Sequence, residues 1–269
     1  MFGPDPPPHL ATEGTIDLTD GRQLGYAEYG PPSGDPLVLF HGLPGSRYSV
    51  FGGPSLLEEY NLRQIVIERP GFGRSTYDPD REFIDWPADV QEATAALDIE
   101  TFSLLGVSGG GPYGLACAAR LPERLTTVGI VSGHGPLDAP GATDGLSLVS
   151  RFGYATAPLP FVLWPVMWFV IQSIRLDPGH DAIQEGVRQG PKGPLHETRL
   201  QVRPWGFDLT SISCHVHLWH GEQDNSTPIS MAEHVAAEVP SSSLHTYPDA
   251  GHVLPEDSHD EILSTLCNQ

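Results

Sequence analysis

Lysine is almost missing from this chain. Of 14 basic residues set against 34 acidic ones, only Lys192 is lysine, and the formal charge is −20. A surface that acidic repels a phosphate backbone, which argues against nucleic acid as a partner. Cysteine is scarce as well. Cys117, Cys214 and Cys267 are odd in number and lack metal-like spacing, so no disulfide framework is expected. No positively charged leader precedes an apolar core with a small-residue cleavage site, because the chain opens Met1-Phe2-Gly3-Pro4-Asp5-Pro6. The expectation is a cytoplasmic protein. The apolar run Leu159 to Ile171 is interrupted by Pro160 and Pro165 and is too short for a membrane span.

What is present suits one large α/β domain: 269 residues with 39% hydrophobic content. Acid excess with almost no lysine resembles the surfaces of proteins from salt-loving microbes, where screening relieves self-repulsion; a GC-rich genome that replaces Lys by Arg leaves the same trace.

The chain is organised around Leu104-Leu105-Gly106-Val107-Ser108-Gly109-Gly110-Gly111-Pro112-Tyr113. An apolar run from Phe102 breaks at small residues, and a helical pattern (Tyr113, Leu115, Ala116, Ala119) follows, so strand, sharp turn and helix are expected. Inside the turn is Gly-x-Ser-x-Gly, which presents Ser108 above a sheet at a helix start, where free N–H groups favour developing negative charge. A Gly/Ser connection without chemistry gives the same five letters in a chain with 30 Gly, so the remaining landmarks decide.

Residues 1 to 13 are Pro-rich and read as a loose arm. Thr15 to Thr19 and Gln23 to Tyr29 form a predicted hairpin across Asp20-Gly21. Buried strands are predicted at Pro36–Phe40 and Leu62–Glu68. The first runs into His41-Gly42-Leu43-Pro44-Gly45-Ser46. Acyl chemistry needs two backbone N–H donors for an oxyanion; Gly109 and Leu43 are the candidates, since Pro44 has no N–H. The loop Glu68-Arg69-Pro70-Gly71-Phe72-Gly73-Arg74-Ser75 reads as structural. Asp85 is placed to cap a helix with Pro87 in its first turn.

After the strand Leu125–Ser132 the alternation of strand and helix fails. Residues 134–205 are expected to be a helical cap inserted into a core of residues 1–133 and 206–269, with Trp164, Met167 and Trp168 facing an apolar pocket. Strands resume at Val216–His220 and Ser243–Tyr247, flanking a helix over Thr227–Val239. Asp224 and His252 then fall just beyond the carboxyl ends of these two strands, the edge where ligands bind in open α/β sheets. Ser108, Asp224, His252 is the order of a nucleophile, an acid and a base in hydrolases of this architecture. His252 would move the Ser108 proton and Asp224 would fix the imidazole tautomer. His215, His217 and His220 lie close together without Cys or carboxylate partners at ligand spacing, so no metal is expected.

Taken together, His41-Gly42, the 68–75 loop, Gly106-Val107-Ser108-Gly109-Gly110, His220-Gly221-Glu222-Gln223-Asp224 and Gly251-His252 resemble the landmarks of the α/β-hydrolase fold superfamily, in its cap-bearing esterase and aminopeptidase-like branch. The resemblance runs from about residue 15 to the end. It implies a mostly parallel eight-stranded sheet with helices on both faces and a helical cap. It also implies a cofactor-free serine hydrolase that cleaves a small or medium carboxylic ester, a small-molecule substrate, through an acyl-enzyme. Glu68 stands where the superfamily more often has Asp. Proline-iminopeptidase-like cleavage is the alternative, although those enzymes carry Gly at the position of Leu43 and Trp at that of Gly109. A non-catalytic small-ligand receptor on the same fold is the reading from another class.

Overall fold

A computed structural model describes residues 7, 9–176 and 181–267 of the chain. In chain order the elements are β1 (Leu10–Asp17), β2 (Gln23–Tyr29), β3 (Asp35–Phe40), α1 (Gly53–Glu59), β4 (Leu62–Ile67), α2 (Trp86–Ala96), β5 (Phe102–Val107), α3 (Gly111–Arg120), β6 (Leu125–Val131), α4 (Leu148–Thr156), α5 (Pro160–Leu176), α6 (Asp181–Gly186), α7 (Lys192–Gln201), β7 (Val216–Gly221), α8 (Ile229–Glu238), β8 (Ser242–Tyr247) and α9 (Ser258–Cys267). The strands form one eight-stranded sheet in the order β1-β2-β4-β3-β5-β6-β7-β8. β1 and β2 run antiparallel to their neighbours, and β3 to β8 are parallel.

Alternation along the central strands splits the core in two. Val38, Phe40, Ile65, Ile67 and Leu104 pack with Trp86, Val90, Tyr113 and Leu115 of α2 and α3 on one face. Leu37, Leu39, Val66, Leu105 and Trp219 meet Leu57 of α1 and Ile262, Leu263 and Leu266 of α9 on the other. Strands buried on both faces read as unbroken apolar runs, which is why β3, β4 and β5 stand out in the sequence. Each fully buried Leu, Val, Ile or Phe contributes about 1.5–3 kcal/mol of burial.

Two expectations change. The arm predicted for residues 1–13 is already strand from Leu10, whose partner across the ladder is Tyr29; residues 1–6 and 8 lie outside the described residues. Asp85 stands at the N-cap position of α2 but makes no cap there, because its carboxylate accepts the backbone N–H of Glu82 at 2.8 Å and closes the preceding short turn. The insertion between β6 and β7 holds four helices, α4 to α7.

Among the described residues, seven of the 14 cations pair with acidic side chains: Arg22, Arg47, Arg63, Arg69, Arg74, Arg81 and Arg188 each hold at least one carboxylate within 4 Å. With 34 acidic against 14 basic residues, the folded chain still carries a large uncompensated negative charge. Because the Debye length shrinks from about 30 Å at 0.01 M salt to about 3 Å at 1 M, added salt relieves the repulsion within the folded state. Tm is therefore expected to climb from dilute buffer to molar potassium chloride, most steeply at the dilute end. A flat series of melting curves would show that self-repulsion is not a term in this protein's stability.

Candidate active site

β3, β5, β7 and β8 all end at the same sheet edge, with Phe40 beside Gly106 and Gly221 beside Tyr247 in register. The loops leaving those four strands therefore meet. After Val107 the chain turns sharply through Ser108–Gly110 into α3. Ser108 is held at φ 52°, a left-handed conformation that costs a side-chain-bearing residue on the order of 1–3 kcal/mol and persists only when its surroundings enforce it. The flanking glycines are required by close approach. A Cβ on Gly106 would sit 2.8 Å from the Gly110 carbonyl oxygen, and one on Gly110 only 2.2 Å from that of Phe40.

The Ser108 hydroxyl lies 2.9 Å from His252 Nε2, and His252 Nδ1 lies 2.7 Å from Asp224 Oδ2. With the proton on Nδ1, the imidazole donates to the carboxylate and accepts from the serine. Asp224 is buried, which opposes its ionisation. The His252 contact and the Thr227 N–H and hydroxyl outweigh this and hold the carboxyl down at about 2. Ser226 N–H adds a further bond to Oδ1 at 2.7 Å. Thr227, whose hydroxyl is 2.7 Å from Oδ2 and 3.2 Å from His252 Nδ1, has no signal in the sequence beyond standing three residues after Asp224.

Leu43 and Gly109 are brought together beside Ser108. A Cβ on Gly109 would lie 2.8 Å from Leu43 Cβ and 3.3 Å from its backbone nitrogen. The loop is fixed from behind. Arg69, fully buried, donates from Nη1 to the His41 carbonyl and from Nη2 to that of Gly42 at 3.1 Å, while its Nε reaches Glu197 of α7 at 3.1 Å. His41 is neutral: burial, reinforced by the Arg69 charge, pushes it well below the usual histidine range, and its Nδ1 lies 2.8 Å from the Gly42 carbonyl. Glu68 fits its unusual position because Gly25 and Gly73 leave room; a Cβ on either would fall within 2.1 Å of its carboxylate oxygens.

Over Ser108 and His252 opens a cavity of about 400 Å³, within the range of small-molecule sites. Its walls are mostly apolar, from Leu43 and Pro44 below and Leu163, Met167, Ile171 and Ile174 of α5 above. Met167 is thus where the sequence placed it. Trp164 and Trp168 are not in the lining and stand about half exposed on the outside of α5. The sequence also gave no hint of His134, which lines the cavity with its Nδ1 3.2 Å from the Tyr154 hydroxyl. Burial, helped by nearby His252, pushes His134 down to about 3, so it is a neutral polar group there. Among the described residues no cluster of His, Cys, Asp or Glu could hold a metal ion, and His220 Nε2 is instead 2.6 Å from the Thr227 carbonyl.

Comparison with known proteins identifies the family of this fold. A family model for the alpha/beta hydrolase fold matches residues 35–155, from β3 into α4, a span that holds Leu43 and Ser108. A non-heme chloroperoxidase from Streptomyces lividans is 32% identical over 269 aligned positions, covering 93% of this chain and 96% of the relative. The chain belongs to the α/β-hydrolase fold family. Two further matches span less than half of the relatives' lengths. An uncharacterized hydrolase, YcgS, from Bacillus subtilis is 31% identical over 42% of this chain and 39% of its own. A proline iminopeptidase from Xylella fastidiosa is 31% identical over 42% of this chain and 37% of its own. Among solved structures, an esterase from Exiguobacterium antarcticum superimposes with a TM-score of 0.69 at 18% identity, over 95% of this chain and 98% of that one, a likeness of fold.

Proposed function

We propose that this α/β hydrolase is a serine esterase that cleaves small or medium carboxylic esters through an acyl-enzyme. The observation that carries the reading is the unbroken chain Ser108 Oγ, His252, Asp224, with steps of 2.9 and 2.7 Å, at the floor of an apolar cavity of about 400 Å³. In this reading His252 removes the serine proton as Oγ attacks the ester carbonyl, and Asp224 stabilises the imidazolium. The Leu43 and Gly109 N–H groups receive the oxyanion, each supplying about 3 kcal/mol of transition-state stabilisation. His252 returns the proton to the departing alcohol, and water then repeats the sequence on the acyl-enzyme. Every group needed is a protein side chain or amide, so the reaction calls for no cofactor. We read residues 134–205 as a cap that closes the cavity and sets acyl length.

The partial match to a proline iminopeptidase supplies a second reading. Two features speak against it. Cleavage beside a free α-amine needs an anion to hold the ammonium group, and none of the described cavity-lining residues is acidic. A side chain at position 109 would also collide with Leu43. The test is a series of aryl esters from acetyl to decanoyl beside a prolyl arylamide. The expected result is a kcat/KM maximum within the short to medium esters and negligible arylamide cleavage. Arylamide turnover equal to the best ester would transfer the assignment to the peptidase.

A further inference from the structure

The cap carries an exposed surface that the ester reading leaves unused. On α5, Phe161 is 73% exposed, Phe169 68%, and Trp164 and Trp168 47% each; on the neighbouring α4, Leu148 is 84% and Val149 82% exposed. A folded chain in water does not ordinarily gather so many large apolar side chains on one face without a partner. The opposite side of the same helix, through Leu163, Met167 and Ile171, lines the cavity. The two surfaces join, because Val149 and the 44%-exposed Val170 belong to both. The exposed apolar face thus meets the wall of the cavity over Ser108 at Val149 and Val170.

Charge selects the occupant. Residues 145–176 contain no Asp or Glu, although the chain has 34, and their only charges are Arg151 and Arg175. A second copy of a −20 chain would meet long-range repulsion on approach, whereas an uncharged lipid surface would not. Aromatic and aliphatic side chains flanked by arginine suit the boundary between acyl chains and phosphate headgroups. No helix among the described residues is long and apolar enough to cross a membrane. We infer that the outer face of α4 and α5 docks on a lipid–water interface of zwitterionic phospholipid, and that ester substrates enter the cavity from that phase. The second half of this statement rests on the ester-hydrolase reading; the first does not.

The test is flotation of the full chain with phosphatidylcholine vesicles, together with hydrolysis of a sparingly soluble ester on either side of its solubility limit. Wild type is expected to float with the vesicles and to show a rate step as the ester separates from water. The double variant Phe161→Ser/Phe169→Ser changes neither the cavity lining nor the Ser108 relay. It should bind vesicles about tenfold more weakly or worse. It should also lose the rate step while hydrolysing a dissolved short ester as wild type does. Wild type remaining at the bottom of the gradient overturns the inference. So does light scattering that finds a wild-type dimer and a monomeric double variant, which would assign the face to a second copy. If wild type floats yet hydrolyses no ester, docking stands and the ester reading falls.

Discussion

Ser108→Ala is expected to abolish covalent labelling by a fluorophosphonate and to lower ester turnover by about 10⁴-fold or more, with the protein still folded. The hydroxyl lies 2.9 Å from His252 Nε2, with Leu43 packed against Gly109, the residue that follows it. Asp224→Asn is expected to cut turnover by about 10⁴-fold by turning the imidazole to the wrong tautomer. Because the groups act as a unit, the double variant should be little slower than Ser108→Ala alone. Two outcomes would sink this assignment: labelling that survives Ser108→Ala, or turnover that is indifferent to Asp224→Asn. Wild type that takes the label yet turns over none of the esters would instead favour a ligand receptor on the same fold.

Where strands are buried on both faces, sequence and structure agree closely. Leu37 to Phe40, Leu62 to Ile67 and Phe102 to Val107 are apolar runs ended by Gly-rich loops, and each is a strand within a residue or two of its expected bounds. Once those strands are parallel, the residues after β5, β7 and β8 must share one edge, so the approach of Ser108, Asp224 and His252 was legible from their order alone. β1 was half missed because Leu10 to Gly14 lies at the sheet edge, mostly exposed or partly so, and its mixed polar letters carry no burial pattern. The direction of α5 was illegible for another reason. Apolar residues cover the helix on all sides, so periodicity does not distinguish the cavity face of Met167 from the outer face of Trp164 and Trp168. His134 and Thr227 are isolated polar letters whose neighbours across the fold come from distant segments, and neither spacing nor composition marks them.

The loop Glu68 to Ser75 read as structural, and one of its residues belongs to a buried network with a large expected effect. Glu197 of α7 is fully buried, and its Oε1 accepts from Arg69 Nε at 3.1 Å, Arg81 Nη2 at 2.7 Å and the Tyr113 hydroxyl at 2.8 Å. One carboxylate thereby ties the inserted helices to the sheet's active edge and, through Arg69, to the carbonyls that precede Leu43. Glu197→Gln leaves two buried guanidinium groups with no anion between them, a loss of about 3–5 kcal/mol. In a chain of this size that lowers Tm by about 10 °C. The pH dependence has a definite sign. Burial pushes the Glu197 carboxyl up, but Arg69 and Arg81 prevail and bring it from 4.5 down to about 2. A depressed carboxyl contributes stability that is fully present above its unfolded value and is lost as pH falls through the folded one. The gap in Tm between wild type and Glu197→Gln should therefore be widest near neutrality and narrow between about pH 4.5 and pH 2. Turnover of the variant should fall even well below its Tm, because the Leu43 loop loses its brace from behind. Thermal melts of both proteins across that range decide the matter: equal Tm at pH 7, or a gap that stays constant down to pH 2, would mean that the Glu197 charge does not hold the insertion to the core.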